Sequence, residues 1–148
     1  MRFLIVEPEI AGTPKGSPAD LEVSFDTWLG DDLVRAFPVL LVTKPLRDAL
    51  AKVETATGFT LKTAQIRSSP FFRKHNPGRR LPRFWALVVD GQAGRDDMGL
   101  TGARALEVSK RMFDVLLEFR IGRATMMQYT PTDPGGSPRE VRRGTLGS

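Results

Sequence analysis

The residues best suited to chemistry in this sequence are two adjacent carboxylate pairs, Asp31-Asp32 and Asp96-Asp97, and one histidine, His75. Paired carboxylates can hold a divalent cation or divide acid and base work between them. Adjacent side chains on an extended chain point apart, however, and Asp in turn-rich sequence bonds its own backbone. Both pairs lie in such sequence, so they read as turn structure with no metal. A single histidine cannot build a zinc cluster. No Gly-x-Ser-x-Gly elbow offers a nucleophile for it to serve. There is no cysteine, which excludes a disulfide, a thiolate metal site and a thiol nucleophile. Gly12 to Gly16 and Gly91 to Gly94 lack the spacing of phosphate-cradling or dinucleotide loops. No catalytic residue, metal or cofactor is expected, and the chain reads as a binding protein rather than an enzyme.

The charge pattern says where binding would occur. Net charge is +5, but it is uneven. Between Glu54 and Asp90 no acid occurs, while Lys62, Arg67, Arg73, Lys74, Arg79, Arg80 and Arg83 all fall there. Phe71 and Phe72 sit against Arg73 and Lys74, with Arg79 and Arg80 close behind. Aromatics beside cations suit nucleic acid, where bases stack on rings and phosphates meet arginine. They equally suit a protein interface, where arginine and aromatics are enriched. The plainer reading is a solvated linker whose two phenylalanines tuck into the core. The predicted partner-binding residues are Phe71, Phe72, Arg73, Lys74, Arg79 and Arg80. A protein partner is favoured over nucleic acid.

The elements that must position this segment follow from periodicity. Phe3–Val6 reads as a strand, residues 7–20 as a loop, and Leu21, Val23 and Phe25 alternate as a half-exposed strand. Trp28 to Asp32 is a turn and Val39–Val42 a buried strand. Leu46, Ala49, Leu50 and Val53 share one face of a helix capped at Thr43, with Pro45 in its first turn and Gly58 as its stop. A strand over about Phe59 to Ile66 follows, then a basic loop over 67–82. Phe84–Val89 is near-continuously apolar, which predicts burial on both faces. Asp90 to Gly102 is turn-rich and Ala105–Val108 a short strand. Ser109 caps a second helix bearing Met112, Val115, Leu116 and Phe119, with Phe113 and Leu117 widening its apolar face and Gly122 ending it. Ala124–Tyr129 closes the domain. The tail, 130–148, has three prolines, four glycines and little apolar content, and is expected to be largely irregular.

The two halves resemble each other. Val42-Thr43-Lys44 and the helix after it read against Val108-Ser109-Lys110 at an offset of 66. An acidic pair precedes each, and Arg2-Phe3 and Arg83-Phe84 open matching apolar strands. The expected fold is one α+β domain over 1–129, a mixed, mainly antiparallel sheet with two helices. It is built from two diverged β-loop-β-α-β repeats, about 1–66 and 83–129. The second helix should be the more deeply buried. The apolar run after Arg2 stops at Glu7 and Glu9, short of a signal peptide's core, and no stretch approaches a membrane span. A cytoplasmic protein without membrane contact is expected.

Phe84-Trp85, then Asp96-Asp97-Met98-Gly99-Leu100, then Leu106-Glu107-Val108-Ser109, a helix and a closing strand resemble a pattern in bacterial immunity proteins of polymorphic toxin systems. The pattern is that of the immunity family numbered eleven and of the related myxobacterial double-CxxCG proteins. The resemblance covers residues 84–129, and 28–66 more loosely. Two departures stand out: the CxxCG pair is missing, and Met98 stands where the pattern has phenylalanine. The resemblance implies a cytoplasmic inhibitor that neutralises a cognate toxin domain by occluding its active site or substrate cleft. It implies no catalytic residues.

Overall fold

The computed structural model describes residues 3–17, 20–102, 104–129 and 139–143. The described chain is α+β, with mainly antiparallel pairing. One five-stranded sheet has the order β10 (Met98–Leu100), β11 (Leu106–Ser109), β1 (Phe3–Glu7), β12 (Thr125–Tyr129) and β13 (Arg139–Arg143). A second has the order β2 (Glu9–Ile10), β5 (Leu33–Ala36), β6 (Val39–Thr43), β9 (Phe84–Val89) and β7 (Phe59–Thr63). A third, three-stranded sheet joins β3 (Gly12–Lys15), β4 (Glu22–Phe25) and β8 (Gln65–Ser68). The pairs β2–β5 and β4–β8 are parallel. The helices are α1 (Lys44–Ala51), α2 (Pro70–His75) and α3 (Lys110–Leu116).

Several elements differ from the sequence expectations. The described residues form three sheets instead of one, and α1 and α3 follow strands of different sheets. Residues 7–20 carry β2 and β3 where a loop was expected, because short edge strands need little apolar pattern to pair. The predicted strand over Phe59 to Ile66 breaks at Ala64, and its two parts enter different sheets. A helical turn, α2, interrupts the predicted basic loop. Within the tail, Arg139–Arg143 pairs with β12; residues 130–138 and 144–148 lie outside the described residues.

The first strand of each half is exchanged into the other half's sheet. In the second sheet β9 lies between β6 and β7; in the first, β1 lies between β11 and β12. The register is the same in both. Thr43 faces Phe84 and Val42 faces Trp85, just as Ser109 faces Phe3 and Val108 faces Leu4. The i,i+4 ion pair Lys44–Asp48 on α1 recurs as Lys110–Asp114 on α3.

One apolar cluster unites both helices with both five-stranded sheets. Leu46 and Leu50 from α1 join Met112, Phe113 and Leu116 from α3, with Leu4, Val42, Leu87 and Val108 from the strands. The third sheet covers the other face of the second, where Val23, Phe25, Leu41 and Phe84 form a separate cluster. The central strand β9 is therefore packed on both sides, as its unbroken apolar run requires. Helix α3 buries three side chains against two for α1, which matches its wider apolar face. Both helices end before the glycines proposed as stops. Gly58 serves close approach instead. Its φ is +96°, and a Cβ there would meet the Met98 carbonyl oxygen at 2.0 Å.

The acidic pairs fasten the two halves together. Asp32 accepts from the Thr43 hydroxyl at 2.7 Å and from the Arg120 backbone N–H at 2.8 Å. Asp97 accepts from the Ser109 hydroxyl at 2.7 Å, the Thr57 N–H at 3.0 Å and the Arg111 guanidinium at 2.7 and 2.9 Å. Asp31 accepts from the Arg123 N–H at 3.0 Å, and Asp96 from the Gln92 N–H at 2.6 Å. Ser109 also caps α3 by accepting from the Met112 N–H, whereas Thr43 caps nothing with its side chain.

The Arg111 hydrogen bonds hold the Asp97 carboxyl well below the usual carboxylate range, with Ser109 and Thr57 adding to them against the opposing effect of burial. A lowered pKa stabilises the fold above the unfolded-state value and loses that stabilisation as pH falls toward the folded-state value. Asp97→Asn is therefore expected to cost on the order of 1–3 kcal/mol at neutral pH. The gap between wild type and variant should narrow as pH drops below about 4. Urea titrations at pH 7 and pH 3 measure both; a gap that is constant with pH contradicts the assignment.

Candidate partner-binding surface

The basic segment is anchored to the fold at its start. The Ser69 N–H donates to the Phe25 carbonyl on β4 at 2.9 Å. The Ser69 hydroxyl accepts from the Phe72 N–H at 3.1 Å, and Pro70 occupies the first turn of α2, where a missing N–H costs nothing. Arg73, Lys74 and His75 fill the last turn, next to the unsatisfied carbonyls that favour cations. The Arg73 guanidinium donates to the Ser68 carbonyl. Past the helix, the Asn76 N–H and its side-chain amide both donate to the Phe72 carbonyl.

The two phenylalanines part company here. Phe72 is fully buried and holds α2 to the body of the protein, so it is not available to a partner, contrary to the expectation from sequence. Neighbouring residues on a helix are turned about 100° apart, and one of the two had to face inward for the helix to dock. Phe71 is 57% exposed. Its ring stacks on His75 with centroids 4.2 Å apart, and His75 Nδ1 lies 3.0 Å from the Phe71 carbonyl oxygen. Phe71, Lys74 and His75 share one face at i, i+3 and i+4 spacing.

Downstream cations lie on aromatic rings far from them in the chain. The Arg79 guanidinium is 5.0 Å from the centre of the Trp28 ring. Trp28 is fixed in turn by an edge contact with Phe84 and by donating to the Asp31 carbonyl at 2.8 Å. Arg83 and, from α1, Arg47 lie 4.8 and 5.0 Å from the Trp85 ring. Each contact orders a long side chain that would otherwise be free. Only the two tryptophans themselves could have hinted at this; nothing in the sequence pairs residue 28 with 79.

Arg73, Lys74, Arg79 and Arg80 are all exposed, as sequence reasoning required. Among the described residues, Arg67 is the one member of the 67–83 segment in an ion pair, with Glu22 at 2.7 Å. Arg73, Lys74, Arg79, Arg80 and Arg83 are exposed and form no ion pair among the described residues. The carboxylate pairs sit elsewhere, bonded to backbone and hydroxyl groups as described above. No group of three or more His, Asp or Glu that could hold a metal ion occurs among the described residues. No helix among them is long and apolar enough to cross a membrane. No family model matches the chain, and neither a curated protein nor a solved structure does.

The opposite burial of the two phenylalanines gives opposite mutational outcomes. Phe72→Ala is expected to lower stability by about 3–5 kcal/mol, the usual cost of emptying a buried aromatic site. Phe71→Ala should change it by less than about 0.5 kcal/mol. Chemical denaturation of both variants measures this; equal losses would mean that α2 is docked on the wrong face.

Proposed function

We propose that this chain is a cytoplasmic, immunity-type binding protein without catalytic activity, which neutralises a cognate toxin domain by covering its active site or substrate cleft. The observation that carries the reading is Phe71, an exposed aromatic on a helix pinned from beneath by Phe72, set in a segment whose cations other than Arg67 have no ion-pair partner among the described residues. An aromatic anchor inside a ring of polar contacts is the usual anatomy of a binding hot spot. Pinning lowers the entropy lost on association, because the segment does not have to be ordered at that moment. The family resemblance supplies the toxin as the partner.

The field of the segment selects the partner's chemistry. A positive surface favours an acidic or neutral face on the toxin. It disfavours a nuclease cleft, which is itself positive so that it can hold phosphates. Nucleic acid as the partner is the weaker reading. Bases stack on open rings, but Arg79 lies over Trp28, and Arg47 and Arg83 lie over Trp85.

Surface plasmon resonance against toxin domains encoded by neighbouring genes, where the genome carries them, tests the reading. Arg79→Glu with Arg80→Glu should lower the association rate, and the loss should shrink as salt rises, since rim charges act through steering. Phe71→Ala should raise the dissociation rate by roughly 30-fold, the equivalent of a 2 kcal/mol hot spot. Unchanged kinetics in both variants would place the interface elsewhere. Tight duplex DNA binding whose log–log salt slope is about −0.9 per phosphate contact would replace the reading with nucleic-acid binding.

A further inference from the structure

A cleft of about 470 Å³ opens where the three sheets meet. It is bounded by the β3 end of the small sheet, the start of β6, the end of β9 and the Leu100–Arg104 turn after β10. Leu21, Val39, Leu40, Leu87, Val89 and Leu100 are among the residues that line it. Its size falls within the range of small-molecule sites, roughly 300–1,000 Å³. Among the described residues, Lys15 and Arg104 are the only charged residues along its lining, and both are exposed. No carboxylate among the described residues lines it.

Two further features point to an anion at one end. Arg104 has a φ of +63°, a left-handed conformation that is uncommon for a residue other than glycine. It is held there by a turn in which its N–H donates to the Thr101 carbonyl at 2.8 Å. Unfavourable backbone geometry of this kind gathers at ligand clamps. Arg104, Leu40 and Leu100 also line a narrow recess of about 20 Å³ that adjoins the cleft, and Arg35 lines the recess as well. The Arg35 Nε is buried and has no hydrogen-bond partner among the described residues. A buried donor without an acceptor is costly, and a bound oxygen would relieve that cost.

We propose that this cleft is a binding site for a small aliphatic carboxylate. The hydrocarbon body lies in the cleft against Leu40, Leu87 and Val89. The carboxylate lies at the junction with the recess, where it accepts from Arg104 and from the orphaned Arg35 Nε. Arginine meets a carboxylate through short, charge-assisted bonds, which a neutral head group cannot match. The site is separate from the 67–83 segment, so the proposal stands or falls independently of toxin binding.

The test is isothermal titration calorimetry of the full chain with decanoate, below its micellar range, alongside decanol and acetate. Decanoate is expected to bind at one site per chain and to raise the melting temperature. Acetate lacks the apolar body and should give no saturable heat. Arg104→Asn removes the cation while keeping a residue that tolerates the left-handed backbone. It should weaken decanoate by about tenfold or more and leave decanol unchanged. Leu100→Trp, at a half-buried lining position, should obstruct both ligands. The proposal is overturned if decanoate gives no saturable binding. It is equally overturned if decanoate binds to wild type and to both variants alike, or if decanol matches decanoate in wild type.

Discussion

The carboxylate of Asp97 is the point through which most of this architecture is tied. Its oxygens take hydrogen bonds from the Ser109 hydroxyl ahead of α3, from Arg111 within α3, and from the Thr57 backbone in the other half of the chain. The Ser109 N–H returns a bond to the Asp97 carbonyl at 2.8 Å, and the Met98 N–H reaches the Thr57 carbonyl at 3.1 Å. Around this knot the backbones approach so closely that Gly58 and Gly91 leave no room for a side chain beside the Met98 carbonyl. Asp32 does the same work at the equivalent place, but reaches across to Arg120. Each half is thus fastened by an aspartate whose partners include the other half.

Strand exchange explains why such cross-ties are needed. β1 and β9 each complete a sheet whose other central members come from the opposite half. Neither sheet can form its full ladder from local sequence. The apolar faces of α1 and α3 meet in one cluster that draws on both sheets, so the core is shared rather than divided. Long-range pairing of this kind is entropically expensive to establish and is stabilised only when the whole is assembled.

The basic segment depends on that body for its shape. Alone, a run rich in arginine and proline would stay extended and mobile. Here Phe72 is inside, Ser69 is bonded to β4, and the tryptophans of two distant segments carry Arg79 and Arg83. What reaches solvent is Phe71 with Arg73 and Lys74 on α2, and Arg79, Arg80 and Arg83 beyond it. The buried carboxyl of Asp31 shows the same economy of placement: burial pushes it up from its ordinary value, and the Arg123 N–H and nearby Arg123 charge work against that shift.

Local pattern was enough for β1, β4, β6, β9, β11 and β12 and for α1 and α3, because alternation, unbroken apolar runs and 3.6-residue spacing each report burial directly. The Ser109 cap and the matching segments around Lys44 and Lys110 were legible from residue type and spacing, and the exposure of Arg73, Lys74, Arg79 and Arg80 from their charge. Other features were decided only by tertiary contact. Pattern states that a strand is buried but not which strand it joins, so the division into three sheets and the exchange of β1 and β9 left no local mark. β2 spans only Glu9–Ile10, and β3, Gly-Thr-Pro-Lys, has no large apolar side chain, so neither carries a hydrophobic period of its own. Phe71 and Phe72 are identical in type and adjacent in sequence; only the docking of α2 chose which one faces the core. The stacking of Arg79 on Trp28 and the cleft between β6, β9 and the Arg104 turn bring together residues far apart in the chain, and their separation is fixed by packing, which no single stretch of sequence encodes.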